Sequence, residues 1–397
     1  MGPRSARAFS LIRNVSSLWE RPADTHGAID GLRAIAVSWV IAFHVFVFIG
    51  RPLRHGPAEP IFRLANRGLL GVDIFFVLSG FLIGRLLFRE LTSTGTIAFR
   101  RFYARRALRI LPAYYVSLLI YCVLVTTNRD TVWANLLFVN NFLPESRQCM
   151  PWTWSLAIEE QFYIVFPLLL VVLFRATRRR LASLLALFAL ATAVRAVIVD
   201  RYAIHLPSAD HSRVMYDALY DKPHARFGEL LAGAIAAYAL DFTPAAEALR
   251  RAPRLSITGM CAALTIIAAS ATTAQPIFHY GWPREWNFAY YTFSTSLFSG
   301  SVAYALFVCL AGARGGRHLD RLLSLRIFRP IAQLSYSAYL LHVMVITIGL
   351  DVAAFEPAVT VATMASYLVA LPIVSLLSAA PLYLLVEKPL MNLRTRR

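Results

Sequence analysis

An arginine and a histidine stand eleven residues apart in the first apolar stretch of the chain, Arg33 and His44. On a helix that spacing is close to three turns, so both face the same way, about 16 Å apart along the axis. Ionisable side chains are expensive in lipid, so they face a protein interior or a wet cavity and commonly carry function. The pair suggests a site that begins at one membrane face and ends inside. His44 is a candidate general base toward a hydroxyl, because imidazole titrates near operating pH. Arg33 is a candidate for binding an anionic group or orienting the site. A snorkelling arginine and a packed, hydrogen-bonded histidine would give the same pattern, and these two residues alone leave both readings open.

Four further blocks carry polar groups into apolar runs. In Arg100–Tyr115, Arg105, Arg106 and Arg109 gather at the end of a span, and Arg105 and Arg109 are one helical turn apart. Arginine forks bind phosphate bidentately, so a phosphate-rich donor such as a coenzyme A thioester would fit. An ordinary cytoplasmic basic cluster would look similar. In Met150–Tyr163, Glu159 and Glu160 are adjacent carboxylates followed by an apolar run, which predicts burial of at least one. Ser155, Glu159 and Tyr163 share a helix face at intervals of four. Glu159 could act as acid or base, or hold the His44 ring. In Gly68–Gly84, Asp73 is costly unless paired and is a candidate site residue or salt-bridge partner. Ser79 could bond a neighbour or a ligand, and Gly80 and Gly84 allow a close helix approach. His224–Gly233, Leu334–His342 and Glu387–Pro389 each place polar groups at the end of an apolar run. Read singly, these are packing or interface features.

The composition says what must position these groups. The chain is 58% hydrophobic and 16% charged, where soluble domains carry roughly a quarter charged residues. Apolar runs of spanning length recur from Gly31 to Val386. The expectation is an all-α polytopic membrane helical bundle of about ten transmembrane helices. The spans fall near 30–50, 68–88, 107–126, 153–174, 181–200, 224–241, 255–272, 288–311, 328–350 and 361–386. The net charge is +18, but the arginines sit in short loops between spans, which argues for membrane topology and against nucleic acid. With ten spans, 25 Lys and Arg lie on one side and 10 on the other, which predicts both termini in the cytoplasm. Residues 1–28 then form a cytoplasmic tail rather than a cleaved leader, 29–390 the membrane domain and 391–397 a second tail. The polar loops 127–152, 201–222 and 273–287 lie outside and could form a cavity mouth. Of Cys122, Cys149, Cys261 and Cys309, three fall in spans, and no metal-type spacing occurs.

Taken in order, these blocks resemble the acyltransferase-3 family of integral membrane O-acyltransferases over residues 28–392. The resemblance rests on Arg33-x10-His44, Phe75–Ile83, Arg105-Arg-Ala-Leu-Arg-Ile-Leu-Pro112, Trp154–Tyr163, Leu334–His342 and Glu387-Lys-Pro389. It implies transfer of an acyl group, often acetyl, from cytoplasmic acyl-coenzyme A to a hydroxyl of a carbohydrate, glycolipid or glycosylated secreted small molecule. That reaction would run in the inner (cytoplasmic) membrane of the cell envelope, with membrane lipid as a partner and no permanently bound cofactor or metal. On that implication His44, Arg33 and Glu159 are catalytic, His44 either taking the proton of the acceptor hydroxyl or carrying the acyl group transiently, and Arg105, Arg106 and Arg109 bind the coenzyme. Asp73, Ser79, Ser155, Tyr163 and His342 support substrate or site. Some relatives carry a fused extracytoplasmic transferase domain. This sequence ends at Arg397 without one, so the expectation is that it acts alone or hands the acyl group to a separate extracytoplasmic partner. The rival is a proton-coupled exporter of a sugar, lipid or natural product, against which stands the lack of an evident internal repeat.

Overall fold

The computed structural model describes residues 9–22, 25–49, 59–125, 127–273, 282–352 and 361–394. Arg4 and Arg7 of the predicted tail and most of the predicted loop 273–287 lie outside these residues. The described residues are helical, with no strand among them. Ten helices of twenty residues or more follow one another: α1 (Gly27–Ile49), α2 (Leu70–Thr94), α3 (Phe99–Leu124), α4 (Trp154–Ala176), α5 (Arg180–Arg201), α6 (Pro223–Phe242), α7 (Pro253–Thr272), α8 (Arg284–Leu310), α9 (Phe328–Val352) and α10 (Val361–Leu382). They match the ten predicted spans. The largest boundary difference is α3, which starts at Phe99 rather than 107, so the arginine block is itself helical.

Among the described residues nine segments are long and apolar enough to cross a membrane, which makes this a multi-pass membrane protein. The predicted sixth span, α6, is not one of the nine. Its sequence is diluted by Arg226 and Glu229, yet both are buried. Geometry shows why it still belongs with the others. Asp73 meets Arg226, Gly80 lies against Leu230, Gly84 against Ala234, and Arg85 binds Asp241. Helices α2 and α6 therefore run side by side in one direction for about sixteen residues, or about 24 Å. Successive crossings alternate in direction, so two parallel helices need an odd number of crossings between them, and α3, α4 and α5 supply three.

The chain divides into two compact units. The first comprises Met1–Val72, Ala98–Thr126 and Arg321–Arg397 and contains α1, α3, α9 and α10. Here α1 and α9 are parallel: Asp30 binds Arg329, Arg33 binds Ser335, and His44 meets His342. Seven helices separate them in sequence, a number that is odd only when α6 is counted. A short helix, Leu11–Ser16, precedes α1. Its buried Asn14 donates to the Leu384 carbonyl (3.3 Å) in a π-helical turn, Tyr383–Glu387, that continues α10.

The second unit, Asp73–Ile97 with Thr127–Asp320, contains most of α2 and all of α4–α8. The predicted close approach of α2 is made against α6. A methyl group added at Gly80 would overlap the Leu230 carbonyl oxygen, and one at Gly233 the Val77 carbonyl oxygen. The backbones leave no room to shift apart without losing both contacts. Gly80→Ala should therefore destabilise the protein by about 1–3 kcal/mol or more. Thermal unfolding in detergent would measure this, and an unchanged melting temperature would show that the helices can separate.

Polar side chains tie the segment before α4, α4 itself and the segment before α6 into one network. Gln148 donates to Asp221 (2.8 Å), Lys222 to Asp221 (2.8 Å), and Gln161 to Asn141 (2.9 Å). Burial pushes the Asp221 carboxyl up to about 6, against the opposing pull of Lys222 and Gln148. The folded carboxyl thus keeps its proton to higher pH than the unfolded one, whose ordinary value is 3.8. Stability of this network should fall as pH rises from about 4 through about 6, by at most about 3 kcal/mol. Hydrogen-exchange protection of residues 127–153, corrected for intrinsic rates, should drop across that window and flatten in Asp221→Asn. A wild-type profile without pH dependence would contradict the assignment.

Candidate active site

The first unit brings together two of the residues singled out in sequence. His44, half-buried on α1, and His342, fully buried on α9, have ring centroids 4.6 Å apart at 74°. His342 Nε2 lies 3.1 Å from His44 Nδ1. His342 Nδ1 lies 2.7 Å from the Tyr339 carbonyl oxygen, and His44 Nδ1 lies 3.0 Å from the Val40 carbonyl oxygen. A helix residue whose ring turns back to a carbonyl three or four positions earlier is held against its own turn, so both rings are fixed locally as well as by each other.

One end of the same helix pair carries charge. The Arg33 guanidinium donates to Ser335 Oγ at 3.0 Å. Arg109 of α3 and Glu387 of the π-helical turn both act electrostatically on Arg33. Buried Glu387 accepts from Ser337 Oγ at 2.7 Å, and Tyr336 donates to the Ile110 carbonyl at 2.9 Å, fastening α9 to α3. Two guanidinium groups here face one carboxylate. Asp30 does not supply the balance, because it is bound on both oxygens, by Arg21 (3.0 Å) and Arg329 (2.9 Å). The excess positive charge suits an anionic ligand. Arg105 and Arg106 are half-buried on α3, one turn or less from Arg109.

The second unit places the remaining candidates in two groups. Tyr163 bridges Ser79 of α2 and Glu159 of α4: its hydroxyl is in close hydrogen bond with Ser79 Oγ and donates to Glu159 Oε2 at 2.8 Å. Glu159 and Glu160 are both half-buried, and one carboxylate oxygen of Glu160 is shielded from the surface. Ser155 is buried one turn before Glu159. Asp73 is in the other group, an ion pair with Arg226, which also lies 3.3 Å from Glu229. The rings of Phe76, Trp154 and Tyr220 surround that guanidinium at 5.4–5.5 Å. Arg195 stays within reach of the group but spends its donors on the Tyr291 (2.7 Å) and Ala225 (3.2 Å) carbonyls. Of the two readings open for Asp73, the geometry is that of a salt-bridge partner.

Three participants escape a reading of the sequence. Glu387 and Ser337 read there as packing features, and nothing marks Ser335 as a partner for Arg33. A carboxylate closing an apolar run of more than twenty residues is the available signal. His44 Nδ1 has the Val40 carbonyl and the His342 ring as its neighbours. All four cysteines are free, and among the described residues no cluster of three or more His, Cys, Asp or Glu could hold a metal.

A family model described as an acyltransferase domain matches residues 26–383. Among curated proteins, the chain is 24% identical over 395 residues to "Nose resistant to fluoxetine protein 6" of Caenorhabditis elegans, covering 86% of this chain and 48% of that protein. It is 28% identical over 354 residues to "Peptidoglycan O-acetyltransferase OatA" of Listeria monocytogenes, covering 81% of this chain and 49% of that protein. The chain thus spans about half the length of these relatives. No solved structure matches it.

Proposed function

Because the chain belongs to the acyltransferase-3 family, we propose that it moves an acyl group, most simply acetyl, from acyl-coenzyme A to a hydroxyl of a carbohydrate, glycolipid or related secreted acceptor. The observation that carries this reading is the paired imidazoles of α1 and α9, with Arg33 about three turns from His44 on α1 and Arg109 of α3 acting on Arg33.

The chemistry follows from the residues. Arg105, Arg106 and Arg109 bind the donor's phosphates, and Arg33 receives negative charge deeper in the unit. His44 Nε2 takes the proton of the acceptor hydroxyl as its oxygen attacks the thioester carbonyl. The tetrahedral adduct collapses with breakage of the carbon–sulfur bond, and His44 returns the proton to the leaving thiolate. One ester forms, one thioester breaks, and the imidazole ends as it began. Within the second unit, Glu159, Tyr163 and Ser79 form a hydrogen-bonded chain of their own. On this reading residues 29–390 are the transferase domain of an inner-membrane enzyme, with both termini in the cytoplasm. The peptidoglycan named for the Listeria relative makes a cell-wall sugar the first acceptor to try, and a separate extracytoplasmic protein could complete delivery.

The test uses purified protein in detergent, where no gradient exists. With labelled acetyl-coenzyme A and a peptidoglycan oligosaccharide or a panel of sugars, free coenzyme A and labelled ester should appear together. Failure of transfer across the panel, with gradient-driven sugar movement by the same protein in vesicles, would favour the exporter reading.

A further inference from the structure

We propose that His342 is the positioning residue that fixes the tautomer of His44, leaving His44 Nε2 as its one basic atom. The inference rests on the reading of His44 as the general base and adds which nitrogen acts and what makes it so.

Donors and acceptors decide the tautomer. A carbonyl oxygen can only accept, so at 2.7 Å from the Tyr339 oxygen His342 Nδ1 carries a hydrogen and donates it. In the neutral ring His342 Nε2 is then a bare lone pair. That lone pair points at His44 Nδ1 from 3.1 Å, while the Val40 carbonyl approaches the same nitrogen at 3.0 Å. Two acceptors converge on His44 Nδ1, and only an N–H there satisfies them. The alternative, a bare His44 Nδ1 receiving a hydrogen from a cationic His342, would set that nitrogen's lone pair against the Val40 oxygen. The Val40 carbonyl lies four residues before His44, where the helix's own backbone N–H competes for it. The chain Tyr339 oxygen, His342, His44 is therefore polarised in one direction and ends on the lone pair of His44 Nε2. When that nitrogen takes a proton, the Nδ1 hydrogen keeps its partner, so the ring changes charge without turning. An acceptor behind a catalytic imidazole serves the same purpose elsewhere as a carboxylate. Here a neutral ring does it, which avoids burying a second charge inside the membrane.

Three measurements test this. His342→Ala should lower kcat about 10- to 100-fold, the rate equivalent of one buried hydrogen bond, with KM for acetyl-coenzyme A unchanged. His342→Gln, whose amide oxygen can reach the same place and accept, should recover most of that loss. The spectrum of protein labelled with 15N-histidine, with the His44 signals assigned by subtracting those of His44→Ala, should show hydrogen on Nδ1 in wild type and in His342→Gln, and a mixture in His342→Ala. A wild-type His44 protonated on Nε2 would overturn the proposal, as would a His342→Gln enzyme no better than His342→Ala. If His342→Ala fails to fold, the wild-type spectrum and His342→Gln still decide. If His44→Ala itself retains full activity, the base assignment fails, whatever the tautomer proves to be.

Discussion

Replacing His44 with alanine should reduce acyl transfer by about 10²–10⁴-fold, the range a positioned general base contributes. The protein should remain folded. His44 is half-buried, and its truncation leaves His342 with its contact to the Tyr339 carbonyl. On the proposed assignment of the donor's phosphates to Arg105, Arg106 and Arg109, coenzyme A binding should also persist, since these lie on a different helix. The measurement is coenzyme A release in detergent beside a size-exclusion profile and a coenzyme A binding isotherm. A folded His44→Ala variant with wild-type turnover would remove the central residue of the mechanism.

The second large effect concerns stability. Arg226→Leu should cost about 3–5 kcal/mol, because it leaves Asp73 and Glu229 buried without their shared cation. It also removes the guanidinium from between Phe76, Trp154 and Tyr220. Expression should fall, and what is recovered should melt well below wild type. The triple variant Asp73→Leu, Arg226→Leu and Glu229→Leu should regain most of the loss, since a buried ionic group replaced whole is far less damaging than one broken in half. A single variant that melts with wild type would mean the group is wet and interchangeable. A triple variant that folds but fails in transfer would return Asp73 to its reading as a site residue.

The helices were legible because a run of about twenty apolar residues matches the thickness of a bilayer and little else. Helix α6 tested that logic. Arg226 and Glu229 lowered its apolarity, and only the partner Asp73, 153 residues earlier, accounts for how they are carried. The site was legible as residue types and not as pairings. His44 and His342 could each be picked from an apolar run, but nothing in either run says that they meet. Glu159 was the more conventional partner for an imidazole, and the sequence offered no way to prefer a second histidine. Glu387 is easily under-read because it closes its apolar run beside Lys388, where it reads as a packing or interface feature. The structure instead places it against Ser337 and within reach of Arg33 and Arg109. The family resemblance reached the right class because it depends on the order of short blocks, which survives without knowing which of them touch.

The two imidazoles are separated by 298 positions, and the parallel packing of α1 and α9 places them on helices that leave the ribosome early and late. Throughout most of translation, a nascent chain holds His44 with only the Val40 carbonyl beside it. The ring gains its second neighbour only when the ninth helix has entered the bilayer and settled alongside the first. On the proposed assignment, products of premature termination lack the neighbour that poises His44, however well their earlier helices have inserted.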